Sequence, residues 1–424
     1  MGLPRRVALL GGTTTLADCA VAARYLADPR GLVKGPAIEE YEECFAQTVG
    51  VRHAYSFSAG RVALYGLLRA LGIGPGDEVL LQVPTHIVVA NAIRYVGARP
   101  VYVDCRPETC NMDLKHAESL VTPRTRVLIL QHTFGMPADF DQALALADRH
   151  GLILIEDCVH ALGAKYDGRQ VGSFGRAAFF STEETKTISS TMGGMALTDD
   201  PELAVRLQAF QASCAWPSAT LTARYVLKLV LYHVLTQPHL HRYTRTVYER
   251  LGRRNPLPGP TTGEEVVGAR PRQFEQRLSN AQAVLAIRQL RRLQSNLAHR
   301  RRISEMYRER LSQIGFDVAN PPAGAEPALV RYPVWVADRA AAVDALSPSC
   351  VPGTWFTSVL EEAVSPAHGG YVMGSCPQAE LAAKHLINLP THPRVEACDV
   401  EAIISALTAV QPRLASQSQN GEAR

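Results

Sequence analysis

The chain has 424 residues, of which 46% are hydrophobic and 20% are charged, and its formal net charge is +4. This length is enough to bury a sizeable core and exceeds the ~100–200 residues of one compact unit, so we expect a large domain and a smaller one. The mild charge and an aromatic content of 7% exclude an extended basic and aromatic surface of the kind that binds nucleic acids.

Nine cysteines are dispersed between Cys19 and Cys398, and no two have C-x-x-C spacing. An odd, scattered set is typical of reduced thiols, so we expect a cytoplasmic protein without disulfides or a metal site. The apolar patch near the N-terminus is too short for a secretory signal. Leu221–Leu235 has fifteen residues, fewer than the ~20 that a membrane-spanning helix needs.

Helical and strand-like segments alternate in the first half of the chain. A helix is predicted at Arg61–Leu71, where apolar residues recur at helical spacing before Gly72. Because they are apolar throughout, four short runs indicate strands covered on both faces, as in a parallel sheet flanked by helices. These predicted strands are Glu78–Val83, Pro100–Val103, Val127–Gln131 and Leu152–Ile155.

The second half of the chain has a different pattern. An amphipathic helix is predicted at Leu278–Leu311, and it would lead into a second unit of short strands and helices. We therefore expect a large domain over residues 1–270, with a basic and partly apolar insert at about 213–268. The linker helix and a small C-terminal α+β domain would occupy residues 271–415, followed by a disordered tail at 416–424.

Polar residues directly follow the predicted strands. Ligands of open α/β sheets bind beyond the carboxyl ends of the strands, so these residues are candidates for a site. They are Thr85, His86, Asp104, His132, Glu156, Asp157 and Ser181.

Three segments carry distinct chemistry, and each has an ordinary structural alternative. Phe57–Arg61 is a small-residue turn that opens into a helix, where free N–H groups can bind a phosphate or simply start a helix. Leu152–His160 ends an apolar strand in two acids, which can keep a ring nitrogen protonated or cap a helix. Phe179–Lys186 places a lysine beside an apolar strand, where it is either a desolvated nucleophile or an exposed loop residue.

The order and spacing of these segments resemble the DegT/StrS-type sugar aminotransferases, a branch of the fold-type-I enzymes that use pyridoxal 5′-phosphate (PLP). The resemblance implies an α/β fold with a mostly parallel seven-stranded sheet in the large domain and a small C-terminal α+β domain. It is strongest over residues 35–210 and includes Gly35–Glu42, Leu71–Val79, Gly97–Asp104, Thr122–Arg126, Glu156–Ala161 and Gly168–Gly175.

The resemblance assigns roles around the cofactor ring. Lys186 would bind the cofactor covalently and carry a proton during the reaction. Asp157, 29 residues earlier in the chain, would hold the proton of the ring nitrogen and is preferred to Glu156 because this interval is similar to the family's. His86 would stack on the ring, and His160 would lie near the O3′ oxygen.

The phosphate would be bound by Ser181 and by the backbone of Ala59, Gly60 and Arg61. Two residues depart from the family pattern here. Threonine usually stands where this chain has Arg61, and the asparagine that reaches the neighbouring subunit's phosphate is replaced by Glu275. We hypothesise that Arg61 replaces the missing donor, so that phosphate binding depends less on the partner chain.

The insert at 213–268 is a further departure from the family pattern. It combines the apolar segment Leu221–Leu235 with basic residues that continue to Arg254. The region 221–254 could therefore make a peripheral contact with an anionic membrane surface. The alternative is an extra helical pair that covers the sheet or completes a dimer.

The resemblance implies a homodimeric aminotransferase that acts on a keto group of a nucleotide-activated sugar, with glutamate or glutamine as donor. A non-sugar ketone, such as a cyclitol or natural-product intermediate, is the first alternative, and a silent PLP-binding scaffold is the second.

The arginines of residues 288–310 either receive a nucleotide diphosphate or form a solvated helix face. Trp355 and Phe356 either line the substrate mouth or pack in the core.

Overall fold

The computed structural model describes residues 5–9, 12–241, 243 and 260–412. The strands are β1 His53–Phe57, β2 Glu78–Gln82, β3 Thr85–His86, β4 Arg99–Val103, β5 Thr125–Gln131, β6 Ile153–Asp157, β7 Lys165–Tyr166, β8 Arg169–Gln170, β9 Ala177–Ser181, β10 Gly194–Thr198, β11 Ala325–Glu326, β12 Arg331–Trp335, β13 Leu360–Glu361 and β14 Leu386–Pro390. The helices are α1 Leu16–Ala27, α2 Ala37–Val49, α3 Gly60–Ala70, α4 Ile87–Tyr95, α5 Leu114–Ser119, α6 Phe140–His150, α7 Pro201–Ser213, α8 Ala219–Leu235, α9 Asn280–Leu290, α10 Leu293–Gln313, α11 Arg339–Leu346, α12 Pro377–His385 and α13 Ala397–Leu407.

A seven-stranded sheet with the order β1-β10-β9-β6-β5-β2-β4 forms the centre of the fold. Its neighbouring strands run parallel except around β10, which is antiparallel to both β1 and β9. Apolar side chains cover both faces: α2, α6 and α9 contribute to one core cluster, and α3, α4 and α7 to the other. The predicted α/β class and mostly parallel sheet are confirmed.

A smaller layer lies at the C-terminal end of the described chain. Strands β12 and β14 pair antiparallel, and α10, α11, α12 and α13 contribute to the apolar cluster around them. The short strand β13 pairs in parallel with β3, which brings this part of the chain to the edge of the site described below. The domain boundary after residue 270 stays a prediction.

The predicted linker helix differs from the structure in one respect. We expected one helix over Leu278–Leu311, but the helix ends at Leu290 and a new one begins at Leu293. The two halves pack on different partners, α9 against α2 and α10 against α13. The break lets each half bury its apolar face in a separate core, which one straight helix could not do.

Helix α8 lies in the predicted insert and packs against the rest of the chain. Val226 and Leu229 share a buried cluster with Ala22 of α1 and Leu285 of α9. Lys228, a basic residue within the segment Leu221–Leu235, is buried. This packing favours the alternative of an extra covering helix.

The remainder of the insert bears less on this question. The predicted basic residues Arg242, Arg245, Arg250, Arg253 and Arg254 lie outside the described residues, as does the predicted tail. None of the described helices is long and apolar enough to cross a membrane.

Candidate active site

A cavity of about 400 Å³ opens at the carboxyl ends of the central strands. This is within the usual size range of small-molecule sites. The structure brings all eight predicted site residues into its lining: Ala59, Gly60, Arg61, His86, Asp157, His160, Ser181 and Lys186. Their individual roles stay predictions.

The start of α3 forms one wall of the cavity. Ala59 is its N-cap and no side chain caps the helix, and the backbone N–H groups of Gly60 and Arg61 donate to no described residue. A Cβ at position 60 would lie 3.1 Å from the carbonyl oxygen of Phe180 and 3.2 Å from Cβ of Ser181, so glycine permits the close approach of β9. Free amides at the positive end of a helix, beside a serine hydroxyl, form an anion-binding site.

Asp157 ends β6 at the floor of the cavity. One carboxylate oxygen accepts from the backbone N–H of Val159 at 3.2 Å, and the other, Oδ2, is buried without a hydrogen-bond partner among the described residues. Burial raises the pKa of Asp157 to about 7, although the charge of Lys186 opposes the shift. The carboxyl group is therefore placed to share a proton with a ligand.

Glu156 has a different environment from its neighbour. Its carboxylate accepts from three backbone N–H groups, at 2.6 Å from Gly172 and 2.7 Å from both Phe174 and Gly175. These bonds use the side chain to hold the loop before β9, on the side away from the cavity lining. The geometry therefore agrees with the choice of Asp157 over Glu156 as the residue available to a ligand.

His132 also lies on the Glu156 side. Its Nδ1 accepts from the N–H of Ala138 at 3.0 Å, so the ring proton is on Nε2, which faces Glu156 at 3.4 Å. Among the described residues, His132, Glu156 and Cys158 form the group whose possible ligand atoms lie close enough together to hold a metal ion. However, Glu156 is already saturated with amides, and burial raises the pKa of the Cys158 thiol well above its usual value. The group is best explained as structural.

Lys186 follows β9 in a loop and is buried in the cavity wall. Its Nζ lies 5.3 Å from the ring centre of Trp355. Burial lowers the pKa of Lys186 to about 8, and the nearby Arg331 adds to this shift while Glu183 opposes it. A lysine with this lowered pKa has a substantial neutral, nucleophilic fraction near neutral pH.

Aromatic rings line the cavity beside the lysine. Trp355 lies 5.9 Å from His86 and 5.5 Å from His160, between ring centres. Neither ring nitrogen of His160 has a hydrogen-bond partner among the described residues, and burial lowers its pKa well below the usual value. Trp355 therefore lines the cavity as one prediction had it, whereas the fully buried Phe356 also packs on Phe134 in the core.

His86 is held by groups on either side of its ring. Its Nδ1 accepts from the N–H of Val88 at 3.3 Å, and Nε2 lies 3.3 Å from the carboxylate of Glu362. Burial opposes ionisation of Glu362, but His86, Thr261 and Arg61 together lower its pKa to about 2. Glu362 is a site residue that the sequence reading missed.

The side chain of Arg61 is engaged away from the free amides. It donates to the carbonyl of Pro260 at 2.7 Å and pairs with the buried carboxylate of Glu265 at 2.5 Å. Glu275, the other departure from the family pattern, pairs with Arg270 of the same chain. The hypothesis that the Arg61 guanidinium replaces a phosphate donor is thus not supported, and what the residue presents to a phosphate is its backbone N–H.

The arginines of residues 288–310 are mostly engaged in ion pairs. Arg288 and Arg292 both pair with Asp18, Arg291 with Glu40, Arg301 with Glu326, Arg308 with Glu305 and Arg310 with Glu401. None of these six arginines lines the cavity. Their arrangement favours the interpretation as an outer helix face.

The sequence reading also missed Arg331. It lines the cavity from the first position of β12, a mainly buried and apolar strand. A buried arginine within an apolar strand is rare without a partner, and this was the signal that could have identified it.

The chain matches one protein family over most of its length. The model of the DegT/DnrJ/EryC1/StrS aminotransferase family matches residues 18–408. A GDP-perosamine synthase of Caulobacter vibrioides is 31% identical over 386 residues, which are 89% of this chain and 90% of that protein. The spore coat polysaccharide biosynthesis protein SpsC of Bacillus subtilis is 30% identical over 385 residues, with the same coverage of both chains.

Two solved structures from the same comparison have similar folds. The structure of S. venezuelae DesV has a TM-score of 0.72 at 29% identity and covers 93% of this chain and 94% of its own. DesI, solved in the presence of its TDP-sugar product, has a TM-score of 0.69 at 25% identity, with coverage of 96% and 91%. Since the family match runs from within the first described helix to just past the end of the last, the chain belongs to the DegT/DnrJ/EryC1/StrS aminotransferase family.

Proposed function

We propose that this aminotransferase uses PLP to convert a keto group of a nucleotide-activated sugar to an amine, with glutamate or glutamine as amino donor. The observation that carries the proposal is the meeting of Lys186, the unpartnered carboxylate oxygen of Asp157 and the free amides of α3 in one cavity. Each of these three features matches a different part of PLP.

The residues present fit the cofactor at three places. The buried Oδ2 of Asp157 lacks a partner that a protonated ring nitrogen would provide. The N–H groups of Gly60 and Arg61 and the hydroxyl of Ser181 can bind a phosphate. The amine of Lys186 can attach to an aldehyde.

When bound, PLP supplies a reactive carbonyl and an electron-withdrawing ring that stabilises negative charge on the substrate carbon. Asp157 holds a proton on the ring nitrogen, which makes the ring a stronger electron acceptor. Lys186 would hold the cofactor through its amine, and its Nζ would move the proton at the donor's α-carbon as a general base. Trp355, whose ring centre lies 5.3 Å from Nζ of Lys186, and the neighbouring His86 would shield that amine from water.

The proposed acceptor follows from the relatives. A GDP-perosamine synthase and DesI with its TDP-sugar product both carry nucleotide sugars in their names. Lys186 and Asp157 are both present and buried in the same cavity, which speaks against a silent scaffold. We further propose a homodimer in the cytoplasm. A contact between region 221–254 and a membrane is our second choice, after the packing of α8 as an extra covering helix.

An absorbance spectrum of the purified protein tests the proposal. We expect a cofactor band in the wild type that Lys186→Ala alters, while the exposed Lys115→Ala control leaves it unchanged. Adding glutamate or glutamine should bleach the wild-type band, and only the bleached form should then aminate a nucleotide-linked keto sugar. No band after adding PLP would contradict the catalytic proposal, and amination of a cyclitol ketone in preference to the sugar would move the substrate to the first alternative.

A further inference from the structure

Arg331 is a buried cation without a counter-ion. It lies at the start of β12, is 3% exposed and lines the cavity. Within the described part of the chain its guanidinium makes no hydrogen bond or ion pair, and its Nε is buried without a partner. The guanidinium carbon lies over the ring of Trp355, 4.2 Å from the ring centre. Burial lowers its pKa to about 10, which leaves the group charged at neutral pH.

The acids nearest to Arg331 are already committed to other donors. Glu183 accepts from the N–H and the hydroxyl of Thr185, at 3.1 and 2.6 Å. Glu361 accepts from the N–H and the hydroxyl of Thr357, at 2.5 and 3.0 Å. Both carboxylates favour the charge of Arg331 through space, but neither lies within ion-pair distance.

A second buried arginine shows the usual arrangement. Arg300 donates to the side chain of Asn296 at 2.9 Å, to the carbonyl of Val330 at 3.2 Å and to the hydroxyl of Thr391 at 2.9 Å. Its donors are satisfied within the protein, as expected for a structural residue. Arg331 keeps its donors free next to a cavity, although a buried, unsatisfied charged group is costly. This contrast indicates that its partner is a ligand.

The position of Arg331 relative to Lys186 limits what that ligand can be. Both cations lie against Trp355, Arg331 at 4.2 Å and Lys186 at 5.3 Å, so they are separated by at most about 10 Å. In an amino acid the nitrogen and the carboxyl carbon are about 2.5 Å apart, and a carboxylate lies about 2.8 Å from the guanidinium nitrogen that binds it. An α-amino acid with its amine at Lys186 therefore fits within this span.

We propose that Arg331, backed by the ring of Trp355, binds the α-carboxylate of the amino donor and orients its amine toward Lys186. The planar guanidinium offers two parallel N–H groups to the carboxylate, which a lysine could not do. This inference rests on the proposed function and deepens it by assigning the donor subsite. A carboxylate on the keto substrate has the same chemistry and is distinguished by the experiment.

The experiment titrates cofactor-loaded protein with L-glutamate and follows bleaching of the cofactor band. We compare wild type with Arg331→Met and Arg331→Lys, and with Arg310→Met as a control on a half-exposed arginine far from the cavity lining. The concentration for half-bleaching should rise roughly 30-fold or more in Arg331→Met, less in Arg331→Lys, and should not change in the control. The affinity for PLP should stay unchanged in all variants, which also reports that they fold.

A second arm replaces glutamate with 4-aminobutyrate, which keeps the distal carboxylate but lacks the α-carboxylate. Wild type should prefer glutamate strongly, and Arg331→Met should lose most of that preference. An unchanged glutamate titration in Arg331→Met would overturn the donor assignment, and a defect confined to the reaction with a carboxylated keto sugar would move Arg331 to the acceptor. Weakened PLP binding would also overturn it. Absence of bleaching in wild type with either glutamate or glutamine would instead contradict the proposed function, and the subsite with it.

Discussion

Asp157 illustrates how a residue prepared for a ligand can weaken the protein that carries it. Its carboxyl group is fully buried, and one oxygen lacks a partner among the described residues. The folded-state pKa of about 7 lies above the usual value of 3.8. Folding therefore favours the protonated form, and the contribution of Asp157 to stability is present below pH 3.8 and is lost as the pH rises to about 7.

We expect Asp157→Asn to stabilise the cofactor-free protein, since the amide carries no charge to bury. The gain in unfolding free energy should grow from pH 4 to about 7 and then level off, with an upper limit of about 4 kcal/mol. Calorimetric melting of the cofactor-free protein at several pH values measures this gain, and the exposed Asp148→Asn serves as control. The same variant should lose roughly a hundredfold or more in transamination rate. A variant of equal or lower stability at pH 8 would show that Asp157 is satisfied in the free protein.

Arg331 shows the limit of reading single residues from a sequence. Lys186 and Asp157 could be predicted because each follows a strand and their interval is similar to that of a known family. Arg331 comes from a strand of the second layer, 145 positions after Lys186 in the sequence. The backbone hydrogen bond from Val330 to Phe134 and the fold of the C-terminal part bring that strand to the cavity. No local pattern contains this long-range contact.

At the level of elements, a buried ion pair joins α8 to the loop after β9 that carries Lys186. Lys228 of α8 donates to the carboxylate of Glu184 at 2.6 Å, and both side chains are buried. Glu184 is two residues before Lys186, so the pair fixes the insert helix against the loop that carries the reactive amine. The desolvation of two such charges makes their mutual contact necessary.

We expect Lys228→Met to destabilise the protein by about 3–5 kcal/mol, because it leaves the carboxylate of Glu184 buried without its cation. The double variant with Glu184→Gln should recover a large part of that loss. Urea unfolding of the two single variants and the double variant gives the coupling energy, and Lys115→Met is a surface control. If the loss of unfolding free energy in the double variant equals the sum of the losses in the two single variants, the ion pair does not connect the two elements.

Strands with continuous apolar runs were the most predictable from the sequence. The runs that predicted β2, β4, β5 and β6 are continuous and apolar, and the structure places all four strands within two residues of the expected bounds. The edge strand β1 and its neighbour β10 were not predicted. In β1 half-buried positions alternate with buried ones, and β10 owes its place to antiparallel pairing with β1 and β9. Pairing partners distant in sequence leave no local signal.

At the level of the whole molecule, one chain offers several groups that can bind a phosphate. They are the N–H groups of Gly60 and Arg61 and the hydroxyl of Ser181. Family resemblance implies a donor from a neighbouring subunit, but Glu275 stands at that position and pairs with Arg270. A second carboxylate near a phosphate would repel it, and the arginine compensates that charge. We therefore predict that the phosphate is held mainly by α3 and Ser181 of the same chain.

We therefore expect a homodimer whose cofactor affinity does not depend on dimer formation. Sedimentation should show the dimer at micromolar protein, and PLP should stay bound when dilution separates the subunits, because the phosphate contacts come from the same chain. Glu275→Asn, which restores the residue typical of the family, should bind PLP more tightly as a dimer than as a monomer. Release of PLP from the wild type in step with dimer dissociation would show that the partner subunit supplies a phosphate donor that α3 and Ser181 do not replace.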